Sequence, residues 1–241
     1  MDSWIRPDWP VDVLAVTTTR AGGVSEGSRA SLNLAAHVGD DPGHVDENRR
    51  RFRAALSLLR EPAWLQQVHG TAVVDAAGVD GSEADASFAT EPGVVCAVLT
   101  ADCLPVLFAA RDGSAVAAAH AGWRGLAAGV LEATLDALPV RNRDVLAWFG
   151  PAISQAAFEV GDEVRARFVD ERPESAAAFA ANARGRWQAD LYALARLRLE
   201  AAGVAGVYGG GLCTHGDAAR FFSYRREPGC GRMASVIAIN A

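Results

Sequence analysis

The order of apolar and polar residues divides the chain into short extended runs separated by helical stretches. Residues 11–19, VDVLAVTTT, are rich in Val and Thr and partly alternate, which predicts a strand. Residues 31–34 and 37–39 read as a second short extended piece. Asp41 and Pro42 then open a helix, Asp as the cap and Pro in the first turn. Behind them Val45, Phe52, Leu56 and Leu59 fall roughly on one face, and Arg49, Arg50 and Arg51 read as a solvated one. Residues 63–68 predict a strand ending at His69, resumed over 71–75, and 80–85 a polar turn with Asp85 where a strand begins. Residues 94–110, VVCAVLTADCLPVLFAA, form the longest apolar run and suit a strand covered on both faces, bent near Pro105. A hairpin turn at 111–114 leads to the strand AVAAAHA and then to the helix LAAGVLEATLDAL. Val145–Phe149 is another strand, and residues 162–168, 174–183 and 187–202 read as helices, the last ended by Gly203. Residues 204–212 and 236–239 close the pattern as extended segments. Strands alternating with about four helices predict an α/β (mixed α+β) fold. It is a single layered domain over 1–241, with one mixed central sheet flanked by helices.

Three residues break this pattern in the same way. His69 in QQVHG, Cys103 in TADCLPVLFAA and His120 in AAAHAGWRG each interrupt or end an apolar run and are followed closely by Gly or Pro. Two imidazoles and a thiolate suit zinc, and three protein ligands leave a fourth position open, as in catalytic sites. Each residue also has an ordinary reading, the histidines as hydrogen-bonded structural groups and Cys103 as a small core hydrophobe. Asp102 is a carboxylate inside the same apolar run, costly unless paired. Arg20 followed by Ala-Gly-Gly suggests a backbone nest for an anion, and equally an ordinary glycine turn with a solvated Arg. Arg124 in Gly-Trp-Arg-Gly lies at a strand–turn–helix junction that suits an oxyanion or phosphate, or is merely exposed at a packing turn. Near the end, FFSYRR offers aromatic rings to a flat base and Arg225 to a phosphate. Cys213 and His215 form a rival ligand pair, ranked lower because Gly216 disrupts a regular strand there.

Composition narrows the partners. Net charge is −6 with no basic block, which argues against nucleic acid. All positive side chains are Arg, so lysine nucleophiles and Schiff bases are excluded. Four Cys in 241 residues make no disulfide framework. The opening MDSWIRPDWP lacks an apolar signal core, and the apolar stretches fall short of a membrane span, so a cytoplasmic protein is expected.

TTRAGGVS, SLNL, DENRRRF, QVHG, TADCLPVLF, AHAGWRG, GPAI and FFSYRR occur in this order over nearly the whole chain, which resembles the YfiH-type family. That family carried the label polyphenol oxidase or laccase and is described as a purine nucleoside phosphorylase with adenosine deaminase activity. The resemblance implies a layered α/β fold grouped with cysteine hydrolases. It implies phosphorolysis of adenosine, inosine, guanosine and methylthioadenosine, with inorganic phosphate as co-substrate. His69, Cys103 and His120 match the zinc-ligand and catalytic positions. Asp102 is the candidate proton carrier, and Arg20, Asn33, Arg124 and Arg225 are the candidates for holding substrate or phosphate. Copper is a further possible metal, since His69, His120 and Cys103 formally make a blue-copper ligand set. A multicopper laccase needs a His-rich cluster, and five His with no His-x-His pair do not build one. A metal-free cysteine hydrolase and a non-enzymatic metal-binding module are the remaining readings.

Overall fold

A computed structural model describes residues 4–79 and 81–240. Asp80 of the expected polar turn lies outside the described residues. A six-stranded mixed sheet runs β11-β7-β5-β6-β3-β2. Its strands are β2 (Val73–Asp75), β3 (Ala86–Ala89), β5 (Leu104–Ala110), β6 (Val116–Ala121), β7 (Val145–Phe149) and β11 (Gly206–Gly209). A second, antiparallel sheet joins β1 (Leu14–Thr17), β12 (Met233–Ala238) and β4 (Val95–Thr100). A small third sheet holds β8 (Glu159–Val160), β10 (Trp187–Ala189) and β9 (Phe179–Ala181).

Side-chain alternation assembles these pieces into layers. Cys96 and Val98 of β4 pack with Leu107 and Ala109 of β5 and Val116 and Ala118 of β6, so the first two sheets bury a common layer. Fully buried Leu107 contributes about 1.5–3 kcal/mol there by leaving water. Val95, Ala97 and Leu99 point the other way, onto Phe52 of α1 (Pro42–Leu56) and its surroundings. The outer face of the six-stranded sheet, through Val106, Phe108, Ala117 and Phe149, packs on Leu126, Leu131, Val164, Leu194 and their neighbours. These come from α2 (Trp123–Ala128), α3 (Val130–Ala137), α4 (Asp162–Val169) and α5 (Leu191–Ala201). The fold class is the expected mixed α/β with helices flanking a mixed sheet.

Several expected elements differ, among them the extended piece at 37–39, which is part of a 3-10 turn, Ala36–Val38. The run at 94–110 is two strands in two sheets, β4 and β5, joined by Ala101, Asp102 and Cys103. The apolar residues on either side of this junction do not reveal the change, because both strands are buried on both faces. Residues 63–68 make isolated bridges at Ala63 and Gln66, not a strand. Residues 174–183 form a 3-10 turn, Pro173–Ala178, and then β9, while Trp187–Ala189 is strand and α5 starts only after the Asp190 cap. Helix α1 stops at Leu56 against a left-handed Ser57, which leaves Leu59 84 % exposed beyond its end. Arg49 is not solvated: its guanidinium donates to the Leu34 carbonyl and stacks on Trp64.

Candidate active site

The chain passes from one sheet to the other at Ala101–Asp102–Cys103, and a cleft of about 460 Å³ opens there. Asp102 holds a φ of +94°, a conformation that costs a non-glycine residue roughly 1–3 kcal/mol and persists only where surroundings enforce it. The enforcement is visible. Oδ1 of Asp102 accepts from the Thr214 hydroxyl at 2.6 Å and Oδ2 from the Arg225 backbone N–H at 2.7 Å. The crossover is thereby tied to the C-terminal loop that carries Tyr224 and Arg225 into the cleft.

Cys103 leaves this crossover half-buried. His120 comes from the end of β6, in register with Pro105 of β5. Ala119 and Ala121 belong to the helix-side core, so alternation turns His120 toward the gap between the sheets. His69 arrives from a loop with a φ of +61°. Its Nε2 lies 3.8 Å from Cys103 Sγ, and the two imidazole centroids are 4.7 Å apart. The ligand atoms of all three lie within 4.8 Å of one another, the one such group among the described residues. Cys213 and His215 do not join it: the Cys213 sulfur accepts from the Ser154 hydroxyl and the Gly216 N–H.

Gly122 explains why the motif after His120 is glycine-rich. A Cβ there would stand 2.8 Å from His69 Cδ2 and 3.0 Å from Cys103 Sγ. Its φ of −62° suits any residue, so space and not backbone freedom requires glycine. Gly125 is similar, with a would-be Cβ 2.9 Å from the Gly70 carbonyl.

Asp85, not Asp102, is the carboxylate that touches an imidazole. Its Oδ1 contacts His120 Nδ1 at 2.7 Å, and it accepts from the Val68, His69 and Gly70 backbone N–H groups. Burial pushes its pKa up, but His120 and the Gly70 and His69 amides hold it below the ordinary carboxylate value. The sequence marks Asp85 only as an acid at a strand start, and nothing there shows its complete burial. Burial also raises the Cys103 thiol, yet His120 and His69 outweigh this and bring it to about 6. Burial lowers His120, while the Cys103 thiolate and Asp85 outweigh that and raise it to about 9. The two shifts run in the directions that favour a thiolate beside an imidazolium. In metal-free protein, alkylation of Cys103 is expected to rise through a midpoint near pH 6. Cys96, pushed up to about 12 by burial, stays unmodified. Peptide mass spectrometry across pH checks this, and a Cys103 midpoint at about 8.5, that of an ordinary thiol, contradicts it.

The other candidates divide. Arg124 and Arg225 line the cleft, joined by Arg232 and His37. Arg20 and Asn33 do not line it. The Arg20 guanidinium donates to the Ala30 and Ala218 carbonyls and stacks over Phe222. Asn33 is fully buried and bonds Ala35, Asp40 and the Arg232 backbone N–H. Both hold loops in place behind the cleft.

A family described as multi-copper polyphenol oxidoreductase laccase matches residues 14–240. A purine nucleoside phosphorylase of Pseudomonas aeruginosa is 55 % identical over 240 residues, covering 98 % of both chains. The Escherichia coli purine nucleoside phosphorylase YfiH is 51 % identical, covering 98 % of this chain and 99 % of that one. The chain belongs to the YfiH-type family. Among solved structures, a Neisseria meningitidis protein superposes with a TM-score of 0.96 at 51 % identity over 99 % of each chain. A Bacillus licheniformis protein also bearing the name YfiH gives 0.90 at 28 % identity over the full length of both. His69, Cys103 and His120 are placed so that they could hold a metal ion. The plural in "multi-copper" finds no second group of ligands among the described residues. No helix among the described residues is long and apolar enough to cross a membrane.

Proposed function

We propose that this chain is a zinc-dependent purine nucleoside phosphorylase with adenosine deaminase activity, and that His69, Cys103 and His120 hold the zinc. Relatives of that name at 51–55 % identity over essentially the full chain support the phosphorylase class. The donor set supports the metal. One sulfur and two nitrogens suit zinc, whose bonds of about 2.0–2.3 Å in a tetrahedron space ligand atoms about 3.5 Å apart. The Sγ–Nε2 separation of 3.8 Å is close to that spacing. When bound, zinc supplies Lewis acidity in the cleft.

The observation that carries the phosphate half is the set of guanidiniums sharing the cleft with the trio. Arg124 is exposed and stacks on Trp123, Arg225 donates to the Glu159 carbonyl, and Arg232 donates to the Cys230 and Gly231 carbonyls. None of the three is ion-paired to a carboxylate among the described residues. Three uncompensated cations in a chain of net charge −6 suit an anionic co-substrate. In phosphorolysis a phosphate oxygen bonds to C1′ of the ribose as the bond from C1′ to the base nitrogen breaks. The arginines hold the phosphate for that attack and Tyr224 and Phe158 offer flat surfaces to the base. Asp102 keeps lone pairs free beside its two hydrogen bonds and lines the cleft, so it is the candidate to move the proton that the base nitrogen or leaving ammonia needs. Adenosine, inosine, guanosine and methylthioadenosine are the proposed substrates.

Incubating untagged protein with adenosine, with and without phosphate, tests the reading. Adenine and ribose 1-phosphate that form only with phosphate, plus inosine that forms without it, are expected. No base release with phosphate present overturns it. Arg124→Ala is expected to raise KM for phosphate about 10–100-fold, the worth of one hydrogen bond to a charged group, with the KM for nucleoside nearly unchanged. Steady-state kinetics with each substrate varied would show this.

A second reading has its own support. Cys103, His120 and Asp85 form a thiolate–imidazolium–carboxylate line, the arrangement of a metal-free cysteine hydrolase. Turnover that persists after complete metal removal, with trapping of an acylated Cys103, would favour it.

A further inference from the structure

We propose that Asp85 is the positioning residue of the site: one buried carboxylate that fixes the turn carrying His69, orients the His120 imidazole and selects the nitrogen that His120 presents to the metal. The inference rests on the metal reading above and adds to it. The Asp85 side chain is fully buried and accepts four hydrogen bonds. A buried carboxylate is costly unless its acceptor sites are filled, and about four lone-pair sites are what it has. Three donors are consecutive backbone amides, Val68 at 3.2 Å, His69 at 2.9 Å and Gly70 at 2.6 Å. Such a run of amides on one anion fixes the turn that carries His69 at positive φ. The fourth is His120 Nδ1 at 2.7 Å, and the His120 backbone N–H also donates to the Asp85 carbonyl at 2.7 Å.

Two elements distant in sequence, the His69 turn and the end of β6, are therefore referenced to one side chain at the start of β3. Because Nδ1 of His120 carries its proton toward Asp85, Nε2 is the nitrogen left to bind. A carboxylate that receives the second ring N–H of a metal-bound histidine orients the ring and raises its basicity. Asp102 makes no hydrogen bond to either imidazole; its oxygens accept from the Thr214 hydroxyl and the Arg225 backbone N–H.

The test compares wild type with Asp85→Asn, using zinc titration against a chromophoric chelator, the visible spectrum of the cobalt-loaded protein and the melting of the metal-free forms. Asn keeps the shape but brings an NH2 group against the backbone amides. Zinc affinity is expected to fall about 10–100-fold, the usual cost of losing such an outer partner, with an altered cobalt spectrum in a protein that still melts cooperatively. Wild-type affinity and spectrum in a folded Asp85→Asn protein would show that Asp85 serves only the fold. A wild type that takes up no zinc would sink the metal reading and this inference with it. Should the variant not fold, the wild type decides alone. Loaded with magnetically active cadmium and isotope-labelled histidine, it is expected to show metal coupling to Nε2 of His120, and coupling to Nδ1 would overturn the assignment.

Discussion

Cys103→Ala is expected to lose zinc binding and phosphorolysis together while the chain stays folded. The loss should exceed the roughly 10–100-fold that removal of an outer partner costs, because a direct ligand goes and the site keeps only two. Cys103 is half-buried at the crossover and belongs to none of the buried apolar clusters, so the stability change is expected within about 1 kcal/mol. Its removal also takes away the thiolate that raises His120. Cys96→Ala is the control. Cys96 is fully buried between the sheets and is expected to lower the melting temperature without changing zinc content. Metal analysis, calorimetry and product formation on the two variants check both halves, and a Cys103→Ala protein that releases adenine at the wild-type rate contradicts the first.

Gly122→Ala is expected to cost nearly as much from a single methyl group. The new Cβ would sit 2.8 Å from the His69 ring and 3.0 Å from Cys103 Sγ, so one or both must move. Displacements of about 1 Å at a reacting centre can cost about a hundredfold in rate. The backbone there accepts Ala without strain, so melting of the metal-free protein should change little. Zinc affinity and kcat should fall together. Retained affinity with lost stability would mean that the glycine serves packing alone.

Much of the site was legible because its residues violate the pattern around them. His69, Cys103 and His120 each stand as a polar group at the edge of an apolar run, and they converge. What surrounds them was harder to read. Asp85 sits in an unremarkable ADASFA stretch, and its four hydrogen bonds come from residues 15 to 35 positions away. Gly122 reads as a turn residue, whereas the reason for it is a close approach that only the folded chain creates. Arg20 and Asn33 lie in motifs of the family, yet those stretches fold loops and do not reach the cleft. The crossover between β4 and β5 was hidden by its own burial, since a strand that changes sheets keeps the same apolar signature. Residues 187–202 read as one helix because Trp187 and Ala189 fit a helical face as well as a strand, and the Asp190 cap decides where α5 starts.

The most direct test of the account is a zinc titration of metal-free wild-type protein with adenosine and phosphate present. Adenine release should rise linearly with added zinc and stop rising at one zinc per chain, with no release in the metal-free protein. Full phosphate-dependent release before any zinc is added would contradict the claim that the His69–Cys103–His120 trio works as a metal site.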